Sequence, residues 1–238
     1  CQILSGYSSN GAQSYANAIR YAADNGASVL QCSWGEPTGQ FLSDAQYARG
    51  QTVVLAALEY FLDPGDSKKY NSGVITDGNI IVFSAGNDWS PTPAYPGAYY
   101  KFVCVSSVGQ DNLPSWFTNY GRGVNIAAPG GDSKLGITIL STLPSEAKSA
   151  AGQDYGYIEG TSQATPQVSS TVALGLSYAK KLGKKFTRDE FISMLLTSVD
   201  DLDNRLTGTK IAGDRTMNLD NYKGKMGTGC LDVWKFMM

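Results

Sequence analysis

One serine in the chain has neighbours that suit it for nucleophilic chemistry. Ser162 lies in the segment Gly160-Thr-Ser-Gln-Ala-Thr-Pro166, at the start of a long stretch with helical periodicity. A serine at a helix start has free backbone N–H groups and the positive end of the helix dipole beside it, and both stabilise an anion. Gly160 lets a substrate backbone approach closely, and Pro166 suits a first helical turn, where a missing N–H costs little. The pattern indicates a nucleophile that forms an oxyanion intermediate, although an isolated Gly-Thr-Ser is more often an ordinary helix cap.

Two further segments, each at the end of an apolar run, add the parts that such a nucleophile needs. They are Ser84-Ala-Gly-Asn87 and Ser33-Trp-Gly35. Ligands of open α/β sheets gather at the carboxyl ends of the strands, so we expect both segments near Ser162. The Asn87 amide is suited to donate to an oxyanion, and an extended peptide can pair with the backbone of Ser33-Trp-Gly35. The three segments therefore predict one peptide-binding face.

These segments resemble the motifs of the subtilase family of serine peptidases. Gly160–Pro166 is similar to the family's nucleophile motif, Ser84–Asn87 to its oxyanion-hole motif and Ser33–Gly35 to its substrate-binding strand. Other family segments follow in the expected order: Ser115–Gly121, Val124–Gly130, Ser141–Pro144 and Gly227–Asp232. The resemblance covers residues 1–238, which we interpret as a single catalytic domain lacking its N-terminal portion.

The resemblance implies a role for each matching residue. Ser162 is expected to be the nucleophile, and Asn87 the oxyanion donor together with the backbone N–H of Ser162. The residues expected to bind the substrate are Ser33, Trp34, Gly35, Ala85, Gly86, Gly160 and Thr161. Among them, Ala85 and Gly86 would line the pocket for the residue before the scissile bond. Trp34 replaces the family's usual leucine and would reshape a neighbouring apolar subsite.

The chain contains no histidine, which is the usual general base for a serine nucleophile. In subtilases the triad runs Asp, His, Ser along the chain, so both partners of Ser162 are expected upstream of Cys1. Cys1–Leu4 resembles the strand that follows the family's histidine helix, and we expect the chain alone to be inactive. Three functions stay open: a peptidase completed by upstream residues, a pseudo-peptidase that binds peptides or acts as a scaffold, and an esterase or transacylase.

Short apolar runs alternate with segments of helical periodicity along the chain. This pattern predicts an α/β fold with a mostly parallel sheet, whose strands and helices must position these residues. The predicted strands are Ser28–Ser33, Asn79–Ser84, Phe102–Ser106 and Val124–Ala128. The predicted helices are Ser14–Asn25, Leu42–Leu62, Gln163–Lys180 and Thr187–Leu196. Asp201–Lys225 is polar and rich in turn residues, and we predict it to be irregular. The resemblance implies a three-layer, subtilisin-like arrangement with helices on both faces of the sheet.

Composition limits the classes of partner. The net charge is −2 and no basic block is present, which argues against nucleic acid, and no apolar run is long enough for a membrane span. Cys32 and Cys104 lie in apolar runs and are expected to be buried free thiols. No cofactor is expected, but aspartates in turn-rich segments leave structural calcium open: Asp63, Asp66, Asp200, Asp201 and Asp203.

The resemblance also implies partners and a location. It implies a peptide or protein substrate and an exported protein, whether extracellular, periplasmic or on the cell surface. A catalytic domain without its N-terminal strands would leave an apolar sheet edge exposed. We therefore expect that edge to be covered by the N-terminal segment as a separate chain, or by a swapped dimer.

Overall fold

A parallel sheet forms the centre of the computed structural model, which describes residues 11–63, 65, 72–144 and 152–238. The predicted strand Cys1–Leu4 and the candidate ligand Asp66 lie outside these residues. The described strands are β1 (Val29–Cys32), β2 (Ile80–Ser84), β3 (Val103–Val108), β4 (Ile126–Pro129), β5 (Ile139–Thr142), β6 (Tyr155–Ile158), β7 (Val199–Asp200), β8 (Thr209–Ala212), β9 (Arg215–Asn218) and β10 (Cys230–Leu231).

The main sheet has the order β1-β2-β3-β4-β10-β7, and all its neighbours are parallel except β10 and β7. β2 and β3 are buried along their whole length, which is why both read as continuous apolar runs. Two antiparallel pairs, β5 with β6 and β8 with β9, lie outside this sheet.

Helices cover both faces of the sheet. They are α1 (Ala12–Asp24), α2 (Asp44–Gly50), α3 (Thr52–Leu62), α4 (Thr161–Lys181), α5 (Arg188–Thr197) and α6 (Val233–Met237), with short 3₁₀ turns at Ser133–Leu135, Asp203–Arg205 and Leu219–Tyr222. Side chains alternate across each strand, so Ile81 and Phe83 of β2 pack with α1, α2 and α3, whereas Ile80 and Val82 pack with α4 and α5. The three-layer α/β fold predicted from the sequence is confirmed.

The prediction of a single helix over Leu42–Leu62 is wrong, because the chain breaks at Gln51 into α2 and α3. The ring of Phe41 lies against Gly50, 2.6 Å from where a β-carbon would be, so the break brings an aromatic residue onto the helix end. The predicted start of α1 is also wrong. The helix begins at Ala12 after Gly11, and the predicted cap Ser14 lies inside the first turn. The capping box of Thr187 and Glu190 at the start of α5 is confirmed.

The prediction that Asp201–Lys225 is irregular is wrong, because the segment contains the β8–β9 hairpin. The charge on Lys210 concealed the strand pattern, because this lysine is buried where an apolar residue is expected. Its Nζ pairs with Asp132 at 2.8 Å and with Asp111 at 3.1 Å, and it donates to the Pro114 carbonyl at 2.8 Å. Burial of a charge that is paired and hydrogen-bonded in this way is tolerated.

Two smaller expectations concern the thiols and the helices. Cys32 and Cys104 are buried free thiols, as predicted, and burial raises the pKa of both. Cys230 is also buried and free, and its pKa rises to about 11, mainly through burial.

Within the described ranges, no helix combines the length and hydropathy that crossing a membrane requires.

Candidate active site

The nucleophile candidate lies in the first turn of α4, which is joined to the end of β2. Thr161 donates through both its backbone N–H and its hydroxyl to Asn87 Oδ1, at 2.9 and 2.8 Å. The same hydroxyl accepts a bond from the Gly86 N–H at 3.3 Å. Asn87 thus caps the helix from a distant segment, and the two motifs predicted from the sequence are in direct contact.

The end of β1 is joined to the same turn through Ser33. Pro166 lies deeper in α4 than the first turn predicted for it, and it has no N–H to donate to the carbonyl four residues earlier. That carbonyl belongs to Ser162 and accepts a 2.8 Å bond from Ser33 Oγ instead. In return, Ser162 Oγ lies 3.4 Å from the Ser33 carbonyl oxygen. A proline that frees one carbonyl therefore allows β1 to hold the nucleophile turn.

Two nitrogen donors lie close to the space next to Gly160. Asn87 Nδ2 and the Ser162 backbone nitrogen are each 3.5 Å from the point where a β-carbon on Gly160 would stand. Residue 160 has φ of 153° and no side chain, and Gln163 Oε1, at 2.8 Å, comes closer to this point than either nitrogen. Since Asn87 Oδ1 is held by Thr161, its Nδ2 remains available to a ligand. This arrangement suits an oxyanion.

Gln163 lies at the rim of the same space. Its Oε1 is 2.8 Å from the β-carbon position at Gly160, and it is buried without a hydrogen-bond partner among the described residues.

A recess of about 370 Å³, which we call the serine recess, adjoins this space. It is lined by Ser33, Trp34, Gly35, Glu36, Pro37, Ser84, Gly86, Asn87, Asp88, Ala94, Thr161 and Ser162. Most residues predicted for the site therefore come together, and Gly160 borders the recess at the start of α4. Ala85 does not line it, because its side chain is fully buried with Cys104 and Val124, and Ser84 lies in the lining instead.

A second recess of about 270 Å³, the aromatic recess, shares Trp34, Gly35 and Glu36 with the serine recess and also includes Tyr15, Gln51 and Val54. The rings of Tyr15 and Trp34 are 4.6 Å apart, and the edge of Trp34 meets Phe83. Trp34 forms a wall of both recesses.

Asn119 is a functional residue that sequence reasoning missed. It is fully buried, and its Oδ1 accepts from the N–H groups of Asp88 and Ser90 at 2.9 and 3.0 Å. Its Nδ2 donates to Ala85 O and Thr38 Oγ1. Asn119 therefore fixes the loop that carries Asn87. It belongs to Ser115–Gly121, a segment recognised as family-like but given no role.

Sequence reasoning also missed two carboxylates in the serine recess. Glu36 is half-buried, burial raises the pKa of its carboxyl, and Gln51 Nε2 donates to its Oε1 at 2.8 Å. Asp88 Oδ2 accepts a hydrogen bond from the Thr38 hydroxyl. The sequence signal was one acidic residue directly after each motif, at the point where each strand ends.

The aspartates considered for calcium do not form a metal site in the described part of the chain. No group of three or more His, Cys, Asp or Glu side chains there is arranged to hold an ion. Asp201 and Asp203 accept hydrogen bonds from nearby backbone N–H groups, Asp63 accepts from the Gly65 N–H, and Asp200 pairs with Lys235. Each of these four carboxylates thus has a partner within the protein.

Comparison with known proteins agrees with the geometry. The profile of the subtilase family, peptidase family S8, matches residues 2–216. Thermophilic serine proteinase of Bacillus sp. (strain AK1) is 33% identical over 159 residues, which are 67% of this chain and 30% of that protein. Thermitase of Thermoactinomyces vulgaris is 31% identical over 159 residues, or 67% of this chain and 44% of thermitase.

A solved structure shares the fold. The prenylagaramide maturation protease PagA superimposes with a TM-score of 0.64 at 21% identity, over 95% of this chain and 66% of PagA. The chain spans less than half the length of either curated relative. Because the family profile covers most of its length, the chain belongs to the subtilase family.

Proposed function

We propose that this chain carries the nucleophile and oxyanion hole of a subtilase-type serine endopeptidase. The observation that carries the proposal is the position of Ser162 at the start of α4, with Asn87 Nδ2 and the Ser162 backbone nitrogen each 3.5 Å from the same point beside Gly160. A peptide-binding protein needs neither a positioned hydroxyl nor two converging donors. Hydrolysis of a peptide bond through an acyl-enzyme needs both.

In the proposed reaction, an extended peptide pairs with the backbone of Ser33–Gly35, which places a carbonyl over Ser162. Ser162 Oγ attacks the carbonyl carbon while its proton passes to a general base. The carbonyl oxygen becomes an oxyanion, which accepts hydrogen bonds from Asn87 and the Ser162 N–H. The base then protonates the leaving amine, and water releases the acyl group by the same steps.

We further propose that the general base is a histidine outside these 238 residues, oriented by an aspartate that is also outside them. This chain contains no histidine. In the described sheet, β1 pairs only with β2, and its exposed side is suited to receive another strand. A segment that adds beside β1 would end close to Ser33 and Ser162, which is where a base must lie. Family membership also supports export from the cell.

The second candidate is a pseudo-peptidase, which the absence of histidine favours. Such a protein would bind peptides along Ser33–Gly35 and would not cleave them. The intact pair of Ser162 and Asn87 argues for the peptidase, because binding places no demand on either. An esterase or transacylase would use the same serine with a different acceptor.

The test uses the product of the complete reading frame that contains this chain. We expect a fluorophosphonate to modify Ser162 stoichiometrically, and peptides to be cleaved, because a base activates the serine. Mass spectrometry of the labelled peptide and chromatography of the products measure the two results, with Ser162→Ala as the control. A folded product that is neither labelled nor active would establish the pseudo-peptidase. Cleavage of esters without peptides would establish the esterase.

A further inference from the structure

We propose that the serine recess binds a basic side chain, so that the substrate is a peptide with lysine or arginine immediately before the scissile bond. This inference rests on the proposed function and adds the class of substrate. The recess shares Ser33, Asn87 and Ser162 with the catalytic groups, so it receives the side chain next to the attacked carbonyl.

The first observation is the charge of the recess. Its lining contains two carboxylates, Glu36 and Asp88, and no lysine or arginine. Neither carboxylate belongs to an ion pair among the described residues, whereas Asp111, Asp132 and Asp200 all have lysine partners. The recess is therefore a concave surface whose negative charge has no counterpart in the described protein.

The second observation is how the two carboxylates are held. Glu36 is fixed by the Gln51 amide at 2.8 Å, and its backbone N–H donates to Tyr95 O at 2.6 Å. Asp88 is fixed by the Thr38 hydroxyl, which in turn accepts from Asn119. Amides and hydroxyls orient a carboxylate without neutralising it. Both charges are thus positioned before any ligand arrives.

The third argument is energetic. Two carboxylates in the recess that Ser162 also lines would disfavour an oxyanion at the serine, and this repulsion is stronger in a partly desolvated cleft than in water. A cation on the substrate offsets that repulsion and pairs with the half-buried Glu36. An apolar side chain in the recess would instead remove water from Glu36 without replacing its interactions. A basic residue is therefore favoured both in binding and in the transition state.

The size and walls of the serine recess also suit a basic side chain. Its volume of about 370 Å³ is large enough for a long side chain. One wall is the indole of Trp34, whose face attracts ammonium and guanidinium groups. The long aliphatic part of lysine or arginine suits that wall, and the charged end suits the carboxylates.

The experiment separates binding from catalysis. The complete gene product carrying Ser162→Ala is titrated by calorimetry with the peptides acetyl-Ala-Ala-Ala-Xaa-Ala-amide, in which Xaa is lysine, arginine, norleucine or glutamate. We expect lysine and arginine to bind at least about tenfold more tightly than norleucine, which has the length of the lysine stem without its charge. Glu36→Gln and Asp88→Asn should each reduce this ratio several-fold, because each removes a charge that attracts lysine and arginine but not norleucine.

Asp189→Asn, which removes an exposed carboxylate in the first turn of α5, is the matched control and should leave the ratio unchanged. Equal or tighter binding of norleucine, a ratio that survives both substitutions, or no binding by any peptide would overturn the inference. Cleavage by the unsubstituted protein is measured separately. Basic preference without cleavage would refute only the proposed function, and cleavage without basic preference would refute only this inference.

Discussion

At the scale of single residues, the two polar atoms of the Asn87 side chain have different surroundings. Its Oδ1 accepts from Thr161 and caps α4, whereas its Nδ2 reaches the space beside Ser162. A purely structural Asn87 would be expected to bond its own turn. The observed bonds instead join two distant motifs. A substitution that keeps the Oδ1 acceptor and removes the Nδ2 donor can therefore separate an effect on stability from an effect on catalysis.

We predict that Asn87→Ala and Asn87→Asp, in the complete gene product, both lower kcat by about 10²–10³, the range known for the equivalent subtilisin asparagine, with little change in KM. Asn87→Ala also loses the helix cap, at a cost of about 1 kcal/mol in the free energy of unfolding. Asn87→Asp keeps an acceptor for the Thr161 N–H and should unfold near the wild-type temperature. Steady-state kinetics and thermal melting measure the two effects.

The aspartate variant is the decisive member of the pair. Its carboxylate retains the cap but presents no donor to the oxyanion. If Asn87→Asp is as active as the wild-type protein, Asn87 serves only the structure and the oxyanion hole must be placed elsewhere. If both variants lose activity only in proportion to the fraction unfolded, the same conclusion follows.

At the scale of elements, α4 contains Gly175, a poor helix former, at the point where aromatic side chains pack against the helix. A β-carbon on Gly175 would lie 2.5 Å from the Phe236 ring and 3.1 Å from the Phe191 ring. Glycine within a helix costs about 1 kcal/mol relative to alanine. The close approach of α6 and α5 is the structural reason for that cost, because a larger residue would push the rings away.

We predict that Gly175→Ala is neutral or destabilising, since overpacking costs about 1–3 kcal/mol and offsets the better helix propensity. In a Phe236→Ala background the ring is gone, and Gly175→Ala should then stabilise by up to about 1 kcal/mol. Chemical denaturation of the four proteins gives the coupling free energy between the two positions. Additive effects would show that Phe236 does not restrict residue 175.

Ser177→Ala is the matched control, because Ser177 is exposed on the same helix. It changes helix propensity without contacting α6, so a small stabilisation of a few tenths of a kcal/mol is expected in either background. A different response in the two backgrounds would indicate that Phe236→Ala disturbs the whole helix.

At the scale of the whole molecule, the arrangement of layers leaves one edge of the described sheet open beside the candidate site. β1 lies at an edge of the described sheet, and Val29, Leu30 and Gln31 are partly or fully exposed, whereas β2 is entirely buried. The same strand holds the nucleophile turn through Ser33. A strand added at this edge would complete the apolar layers and supply groups next to Ser162.

We predict that the isolated 238-residue chain is catalytically silent. Without a histidine, the loss in turnover should be on the order of 10⁶, the cost of removing the base from the subtilisin triad. A fluorophosphonate should label Ser162 no faster than it labels free serine. Fast labelling would show that another group in this chain acts as the base.

The open edge at β1 predicts a second property of the isolated chain. We expect it to self-associate or to unfold without a cooperative transition, because unpaired strand edges recruit other chains. Size-exclusion chromatography with light scattering and a thermal melt test this expectation. A monomer with a sharp transition would show that the β1 edge needs no partner.

Some elements of the fold could be predicted from the sequence, and others could not. Strands β2, β3 and β4 and helices α4 and α5 were predictable because burial and helical periodicity are local patterns. The break at Gln51 was not predicted, and the contact of the Phe41 ring with Gly50 beside it is seen only in the structure. The β8–β9 hairpin was missed for a similar reason, since Lys210 resembles a surface residue until Asp132 is found beside it.

The sequence by itself determined the family and the fold class, and it pointed to Ser162 as the nucleophile and Asn87 as the oxyanion donor that we propose, because their motifs are short and contiguous. Only the tertiary structure decided what surrounds them. Asn119 fixes the oxyanion loop, and Glu36 and Asp88 face one recess without a cation. These contacts join segments far apart in the chain, and their partners are chosen by packing of the layers and not by any local pattern.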